Sequence, residues 1–148
     1  DQDLYVNIGG FIPGDKYNKA LFANPNQRNA NHWLAVKLIG EKTNRAALGA
    51  KIRLTLVDAK GTKMIRYREV SSGGSFGASS LTQHFGLGKA AKVETMEIAW
   101  PPSQQVQTFQ NVKMNQILTI KEAATALQPR LPKKLSFTTK LASQPHRH

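Results

Sequence analysis

The sequence predicts an all-β protein built as an antiparallel β-sandwich. Short segments alternate apolar and polar residues with a period of two, as strands with one buried face do. Turn-forming residues such as Gly, Asn, Asp and Pro separate these segments at short intervals. A helical period never persists for about twelve residues, the length at which a helix becomes a firm prediction. We expect about seven or eight strands in an immunoglobulin-like or jelly-roll-like arrangement, with little helix.

The strands are assigned in order from residue 32. Residues 32–40 place Leu34, Val36 and Leu38 on one face and leave the other face to residues such as Lys37. Further strands are expected at residues 50–58, 63–70, 81–87, 92–100, 106–109 and 116–121. Only residues 122–127 (EAATAL) have a helical pattern, which predicts one short helical segment.

Composition limits the class of protein. The chain has 148 residues, enough for one domain with a hydrophobic core. It carries 21 Lys and Arg against 9 Asp and Glu, a net charge of +12, yet 40% of its residues are hydrophobic, which indicates a basic globular protein. Cysteine is absent, which excludes disulfides, thiolate zinc sites and cysteine nucleophiles. No stretch reaches the roughly 18 apolar residues that span a bilayer, so no transmembrane segment is expected.

The positive charge is concentrated in two parts of the chain. Residues 32–70 contain nine basic and three acidic residues, and residues 124–148 contain five basic residues and no acidic one. Three prolines also lie in the second part, which predicts an extended or disordered surface tail. We therefore divide the chain into a connecting segment (1–31), a sandwich (32–123) and a basic tail (124–148).

The segments at 50–58 and 63–70 are predicted to pair as a hairpin across the turn at Gly61. Four basic residues would then line one outer face of this hairpin: Lys51, Arg53, Arg66 and Arg68. Lys63 falls out of phase but adjoins the turn, and Tyr67 is expected on the opposite face. Such a face concentrates positive potential and favours an acidic protein or polysaccharide partner. Nucleic acid is not favoured, because no aromatic residue is interleaved among the charges.

A glycine-rich loop at residues 73–77 (GGSFG) matches the G-x-S-x-G pattern of a hydrolase nucleophile elbow. That elbow requires a following helix and later acidic and histidine partners, whereas another strand is predicted to follow here. A tight turn is therefore the favoured interpretation, and an esterase centred on Ser75 is the alternative. We expect no enzymatic activity. Ser75, Phe76 and the loop backbone are instead candidates for contacting a sugar or phosphate.

The tryptophans and histidines have different expected roles. Trp100 is in phase with neighbouring apolar residues, which predicts a core position. Trp33 lies on the opposite side of its strand from the apolar residues and is a candidate for stacking on a carbohydrate. His32 and His84 have no carboxylate at metal-ligand spacing, so structural roles are predicted for them rather than zinc binding.

Nine short blocks follow one another along the chain: residues 31–40 (NHWLAVKLIG), 43–45 (TNR), 49–52 (GAKI), 68–70 (REV), 73–77 (GGSFG), 84–88 (HFGLG), 93–101 (VETMEIAWP), 106–109 (VQTF) and 115–121 (NQILTIK). In this order they resemble the ASPIC/UnbV domain. The resemblance extends over residues 31–121 and implies an extracellular domain without enzymatic activity. The best-known animal member of this family is cartilage acidic protein, a matrix component. Because this chain is basic, a role tied to acidity does not carry over.

The first thirty-one residues contain three further blocks: residues 3–6 (DLYV), Gly9-Gly10 and residues 18–25 (NKALFANP). Their resemblance is to the end of an FG-GAP/VCBS propeller. It implies that residues 1–31 are the end of a propeller blade and that the chain is the C-terminal part of a larger secreted protein. Asp1 and Asp3 would be the remnant of a calcium loop, supplying only part of the six to eight oxygen ligands that such a site uses. No other cofactor is expected.

Together these features predict a non-enzymatic extracellular interaction or adhesion module that docks on an adjacent propeller, an acidic partner or a matrix component. One alternative is a carbohydrate-binding module for acidic polysaccharide that uses Trp33, the 71–80 loop and the basic face. Another is a subunit of a surface assembly or fibre. A secreted, extracellular or cell-surface location is expected, with the periplasm as an alternative.

Overall fold

A computed structural model describes residues 4–8, 18–22, 29–74, 77–101 and 105–130. These residues form strands, turns and loops and contain no helix, which confirms the all-β prediction. The strands are β1 (Leu4–Ile8), β2 (Asn18–Phe22), β3 (His32–Ile39), β4 (Lys51–Val57), β5 (Lys63–Glu69), β6 (Gly73–Gly74), β7 (Gly77–Ala78), β8 (Thr82–Gly88), β9 (Lys92–Trp100), β10 (Gln105–Val112), β11 (Gln116–Lys121) and β12 (Gln128–Arg130).

Two four-stranded sheets form the predicted β-sandwich. The first, which we call the β3 sheet, has the order β12-β11-β3-β8, and the second, the β4 sheet, has the order β10-β9-β4-β5. Their strands pair antiparallel except β11 and β3, which are parallel with Leu118 opposite Val36. The antiparallel prediction is therefore wrong at this one pair, where both strands cross the sheet in the same direction. The strands β1 and β2 form one separate hairpin, and β6 and β7 form another.

The alternation of residues places one apolar face of each sheet in a shared core. Leu34, Val36 and Leu38 of β3 are buried, as predicted. Fully buried Leu and Ile side chains each contribute about 1.5–3 kcal/mol relative to exposure. Trp100 is also in the core, and its indole N–H donates a hydrogen bond to Oε1 of Gln107 at 2.9 Å. The largest core side chains are Trp100, Leu34, Ile52, Leu54, Leu56, Leu87, Met96, Ile98, Leu118 and Ile120.

A buried carboxylate fastens the loop after β3 to the end of β11. Glu122 is only 5% exposed. Its Oε2 atom accepts hydrogen bonds from the backbone N–H groups of Glu41, Lys42 and Thr43 at 2.9, 2.8 and 2.9 Å. The hydroxyl of Thr43 donates to the same oxygen at 3.1 Å. The short helix predicted at residues 122–127 is wrong: these residues form turns and bends, and Ala123 has a φ of 62°, which a right-handed helix does not allow.

This hydrogen bonding decides the charge state of Glu122. Burial alone would raise the pKa of the carboxyl group, but the N–H groups of Thr43, Glu41 and Lys42 together with the Thr43 hydroxyl hold that pKa below its ordinary value of 4.5. The loop itself depends on Gly40, where a Cβ atom would lie 2.2 Å from the carbonyl oxygen of Asn44.

Replacing Glu122 by Gln tests this clamp. We expect Glu122→Gln to lower the free energy of unfolding at neutral pH by about 2 kcal/mol, because hydrogen bonds to a charged acceptor are replaced by weaker ones. Urea unfolding at a series of pH values measures the effect. The folded-state pKa is the depressed one, so the difference between the two proteins should be constant above pH 4.5 and shrink as the pH falls through the folded-state pKa.

Glu94→Gln provides the matched control. Glu94 forms surface ion pairs with Lys63 at 2.6 Å and Lys92 at 3.7 Å. Because exposed ion pairs contribute little to stability, its substitution should have a smaller effect than that of Glu122. Equal effects from the two substitutions would show that the backbone hydrogen bonds to Glu122 are not important for the fold.

Candidate interaction surfaces

The hairpin of β4 and β5 does not place its four basic residues on one face. Lys51 pairs with Glu69 and Arg53 with Tyr67, whereas Arg66 and Arg68 pair with the core residues Leu54 and Ile52. Directly paired residues share a face of the sheet. The prediction of a common basic face is therefore wrong, and Tyr67 lies on the same face as Lys51 and Arg53 rather than opposite them.

The error arises because β5 is an edge strand of the β4 sheet. Arg66 and Arg68 lie on the core side of the sheet, yet both are exposed, because they are beyond the cover of the opposite sheet. Ile65 and Tyr67 lie on the outer side and are 54% and 50% exposed. Alternation of apolar and polar residues therefore predicted the wrong side of the sheet for the arginines and for Tyr67. The register of β5 with β4 decides which side each residue takes.

The outer face of the β4 sheet, which we call the Tyr67 face, carries exposed apolar side chains on both of its edge strands. Ile65 and Tyr67 lie on β5 and Val106 lies on β10, and the two central strands between them place Lys51, Arg53, Glu97 and Ala99 on the same face. Val106 is 59% exposed, so three large apolar side chains of this face are half exposed or more. Six of these residues line a shallow depression of about 240 Å³: Lys51, Arg53, Tyr67, Glu97, Ala99 and Val106.

Ion pairs balance most of the positive charge near the Tyr67 face. Arg53 Nη1 lies 2.5 Å from Oε2 of Glu97, at the centre of the depression. Lys63 shares the outer side of β5 and pairs with Glu94, so it contributes to a local pair rather than to an open basic patch. The hydrogen bond from Lys63 lowers the pKa of Glu94, against the opposing effect of burial. The Tyr67 face is therefore apolar with fixed ion pairs, and not strongly basic.

The outer face of the β3 sheet, which we call the Trp33 face, has a different chemistry. The rings of Trp33 and His84 stack with centroids 5.5 Å apart and planes inclined by 12°. Gly86 lies opposite Trp33 in the register, and His84 lies diagonally across from Trp33 on the same strand as Gly86. Both aromatic residues are half-buried, and burial lowers the pKa of His84 below its ordinary value of 6.5.

Asn115 holds Trp33 in place. The backbone N–H of Trp33 donates to Oδ1 of Asn115 at 3.1 Å, and the N–H of Asn115 donates to the carbonyl oxygen of Trp33 at 2.7 Å. The amide nitrogen of Asn115 also lies 2.9 Å from Nδ1 of His32. Sequence reasoning missed this residue. The available signal was an Asn immediately before a strand, since Asn tolerates the positive φ of 59° that it adopts here.

The remaining predicted site residues fall outside the described part of the chain. Ser75 and Phe76 lie between β6 and β7, and Asp1 and Asp3 precede β1. Around the loop, the Ser79 hydroxyl donates to the carbonyl oxygen of Gly73 at 2.8 Å. Among the described residues, no group of three or more His, Cys, Asp and Glu is arranged to hold a metal ion. Nor do these residues include a helix able to cross a membrane.

The sequence was compared with known protein families. The family described as ASPIC and UnbV matches residues 40–127, which is more than half of the chain. The chain belongs to the ASPIC and UnbV family. A comparison with curated proteins gives no match. The ASPIC and UnbV match includes β4 to β11 and therefore the whole Tyr67 face, while β3 lies immediately before the matched residues.

The aromatic stack of this ASPIC and UnbV domain can be tested by titration. We expect the His84 ring resonances to titrate with a midpoint below pH 6.5, because burial disfavours the charged imidazolium. Trp33→Ala should raise the midpoint toward that ordinary value, since it exposes the imidazole. Two-dimensional NMR of the labelled protein measures both midpoints, and His84→Asn assigns the resonances. An unchanged midpoint in Trp33→Ala would show that the indole does not shield His84.

Proposed function

We propose that this chain is a non-enzymatic extracellular interaction module that docks on a protein partner through the Tyr67 face. The observation that carries the proposal is the grouping of Ile65, Tyr67 and Val106, each at least half exposed, on one face of one sheet. Exposed apolar side chains grouped among polar residues on one surface are typical of interaction sites in soluble proteins. Tyr and Arg are also the residue types enriched where protein interfaces gain most of their affinity.

The adjoining edge of the β4 sheet favours a partner with acidic groups. Arg66 and Arg68 are exposed along β5 and form no ion pair with the described residues. Their strand, β5, is an edge strand of this sheet among the described residues, and their side chains leave that edge on the side opposite the Tyr67 face. An acidic group at the rim of a docked partner would pair with them, which would orient the partner and speed its association.

The partner we favour is an adjacent propeller, as the FG-GAP/VCBS resemblance of residues 1–31 implies. The hairpin of β1 and β2 supports a larger neighbouring unit. Tyr5 and Phe22 are 58% and 56% exposed, and they lie on opposite faces of the hairpin because Leu4 pairs with Phe22 and Tyr5 with Leu21. A two-stranded hairpin with apolar residues on both faces is only marginally stable alone, so further strands beside it would complete its fold.

Site-directed photocrosslinking tests docking. With a benzophenone amino acid in place of Val106 in the full-length protein, expressed in cells that normally produce it, we expect one discrete adduct in the extracellular fraction. The same amino acid in place of Lys113, which is exposed outside this face, should give none. Adding Ile65→Ser and Tyr67→Ser should reduce the adduct at least about fivefold, because apolar anchors dominate binding energy at interfaces.

Two results of this experiment would refute docking. One is the absence of any discrete crosslink from position 106, within the same protein or to another protein, and the other is equal crosslinking from positions 106 and 113. Mass spectrometry of the adduct then shows whether the partner is a propeller segment of the same protein or a separate acidic protein. Fractionation of the same cells tests the extracellular location directly.

The non-enzymatic part of the proposal is tested at Ser75. A fluorophosphonate probe labels serine nucleophiles that an adjacent base activates. We expect no labelling of this protein above the level of the Ser75→Ala variant under conditions in which a serine esterase is fully labelled. Stoichiometric labelling that depends on Ser75 would establish the esterase alternative instead.

A further inference from the structure

The Trp33 face carries positive charge that no acidic residue of the face balances. Its outward positions on β3, β11 and β12 include Lys37, Lys121 and Arg130. None of these three residues forms an ion pair with the described residues, whereas the cations Arg53 and Lys63 near the Tyr67 face are paired. No Asp or Glu occupies an outward position on the four strands of the β3 sheet. The Trp33 face is therefore complementary to an anionic ligand.

The register arranges this face as two rows that cross all four strands. One row runs from Arg130 through Ile117 and Ala35 to the ring of His84. The second row is polar throughout and consists of Gln128, Thr119, Lys37 and Thr82. With strands about 4.8 Å apart, each row spans roughly 14 Å, which is long enough for a short oligosaccharide.

The aromatic end of the face is fixed before any ligand arrives. The Trp33 backbone donates to the side-chain oxygen of Asn115 and accepts from its backbone N–H, and the Trp33 ring stacks on His84. An aromatic side chain that is already ordered loses little conformational entropy on binding. Its flat apolar surface beside hydroxyl and amide groups suits a sugar ring, which presents both apolar and hydroxyl surfaces.

We propose that the Trp33 face binds an anionic polysaccharide, with Lys37 and Arg130 contacting its acidic groups and Trp33 packing against a sugar ring. Hydroxyl and amide groups of Thr82, Thr119 and Gln128 lie where sugar hydroxyls would be contacted. Nucleic acid fits less well, since single strands bind along several successive aromatic platforms and this face offers one stack. This binding site is separate from the docking surface proposed above, because the Trp33 face and the Tyr67 face are the outer faces of different sheets.

The test compares two variants that lose the same charge. Polygalacturonate is titrated by calorimetry into the full chain, Lys37→Gln/Arg130→Gln and Arg66→Gln/Arg68→Gln at several salt concentrations. Each double variant removes two positive charges, but only the first alters the Trp33 face. We expect the first to bind about tenfold more weakly and the second to stay within about twofold of the wild type, since local contacts outweigh diffuse charge.

Two further variants separate packing from charge. Trp33→Ala should weaken binding about fivefold without changing the salt dependence, because it removes packing and no charge. Lys121 is exposed at the end of β11, so its substitution should disturb the fold little. If Lys37→Gln/Arg130→Gln unfolds at a lower temperature than the wild type, Lys121→Gln replaces it as the charge variant. We expect Lys121→Gln to bind about threefold more weakly. Dextran sulfate, which carries sulfate but no carboxylate groups, replaces polygalacturonate to distinguish the two kinds of acidic group, and neutral dextran should not bind.

Three outcomes would overturn the proposal. The first is an absence of binding to both polyanions at low salt. The second is an equal loss of affinity in the two double variants, which would show binding to diffuse charge only. The third is tighter binding of a single-stranded oligonucleotide of matched charge. Ile65→Ser/Tyr67→Ser should bind polygalacturonate normally, so failure of docking and failure of this site are distinguishable.

Discussion

The parallel pairing of β3 with β11 is the interaction on which the rest of the domain depends. These strands come from the two ends of the sandwich in sequence and form the middle of one sheet. Each end of the pair is closed by a polar residue that flanks β11. At one end, Asn115 exchanges hydrogen bonds with Trp33. At the other end, the backbone N–H of Glu122 donates to the carbonyl oxygen of Ile39 at 2.9 Å, and the Glu122 carboxylate accepts hydrogen bonds from the loop that follows β3. The pairing of β3 with β11 therefore fixes the strand register, the loop after β3 and the position of Trp33 together.

The sequence predicts the strands well because their apolar positions are buried at period two. Leu34, Val36 and Leu38, and likewise Trp100, occupy the core as alternation requires. Prediction failed where a residue takes its partner from far along the chain. The pattern at residues 122–127 indicates a helix, whereas Glu122 is a buried acceptor for a loop some eighty residues earlier in sequence. Local patterns carry no information about such partners.

The candidate surfaces were predictable in composition but not in arrangement. Alternation identified Lys51, Arg53, Arg66 and Arg68 as outward-facing, yet all four could share a face only in a different register with β4. Tyr67 was assigned to the wrong side for the same reason. Neither Lys37 nor Arg130 was predicted as a site residue. Arg130 joins the face that carries Trp33 and Lys37 only through the pairing of β12 with β11 and of β11 with β3.

The position of β3 also determines when the domain can close as the chain is made. Hairpins such as β4–β5 and β9–β10 join neighbouring segments and can form early. By contrast β3 must wait for β8 on one side and for β11, which begins at Gln116, on the other. Until then the apolar strand β3 has no neighbouring strands in its own sheet, and apolar strands with free edges invite pairing with other chains. The emerging chain is thus most vulnerable to aggregation before its final strands arrive.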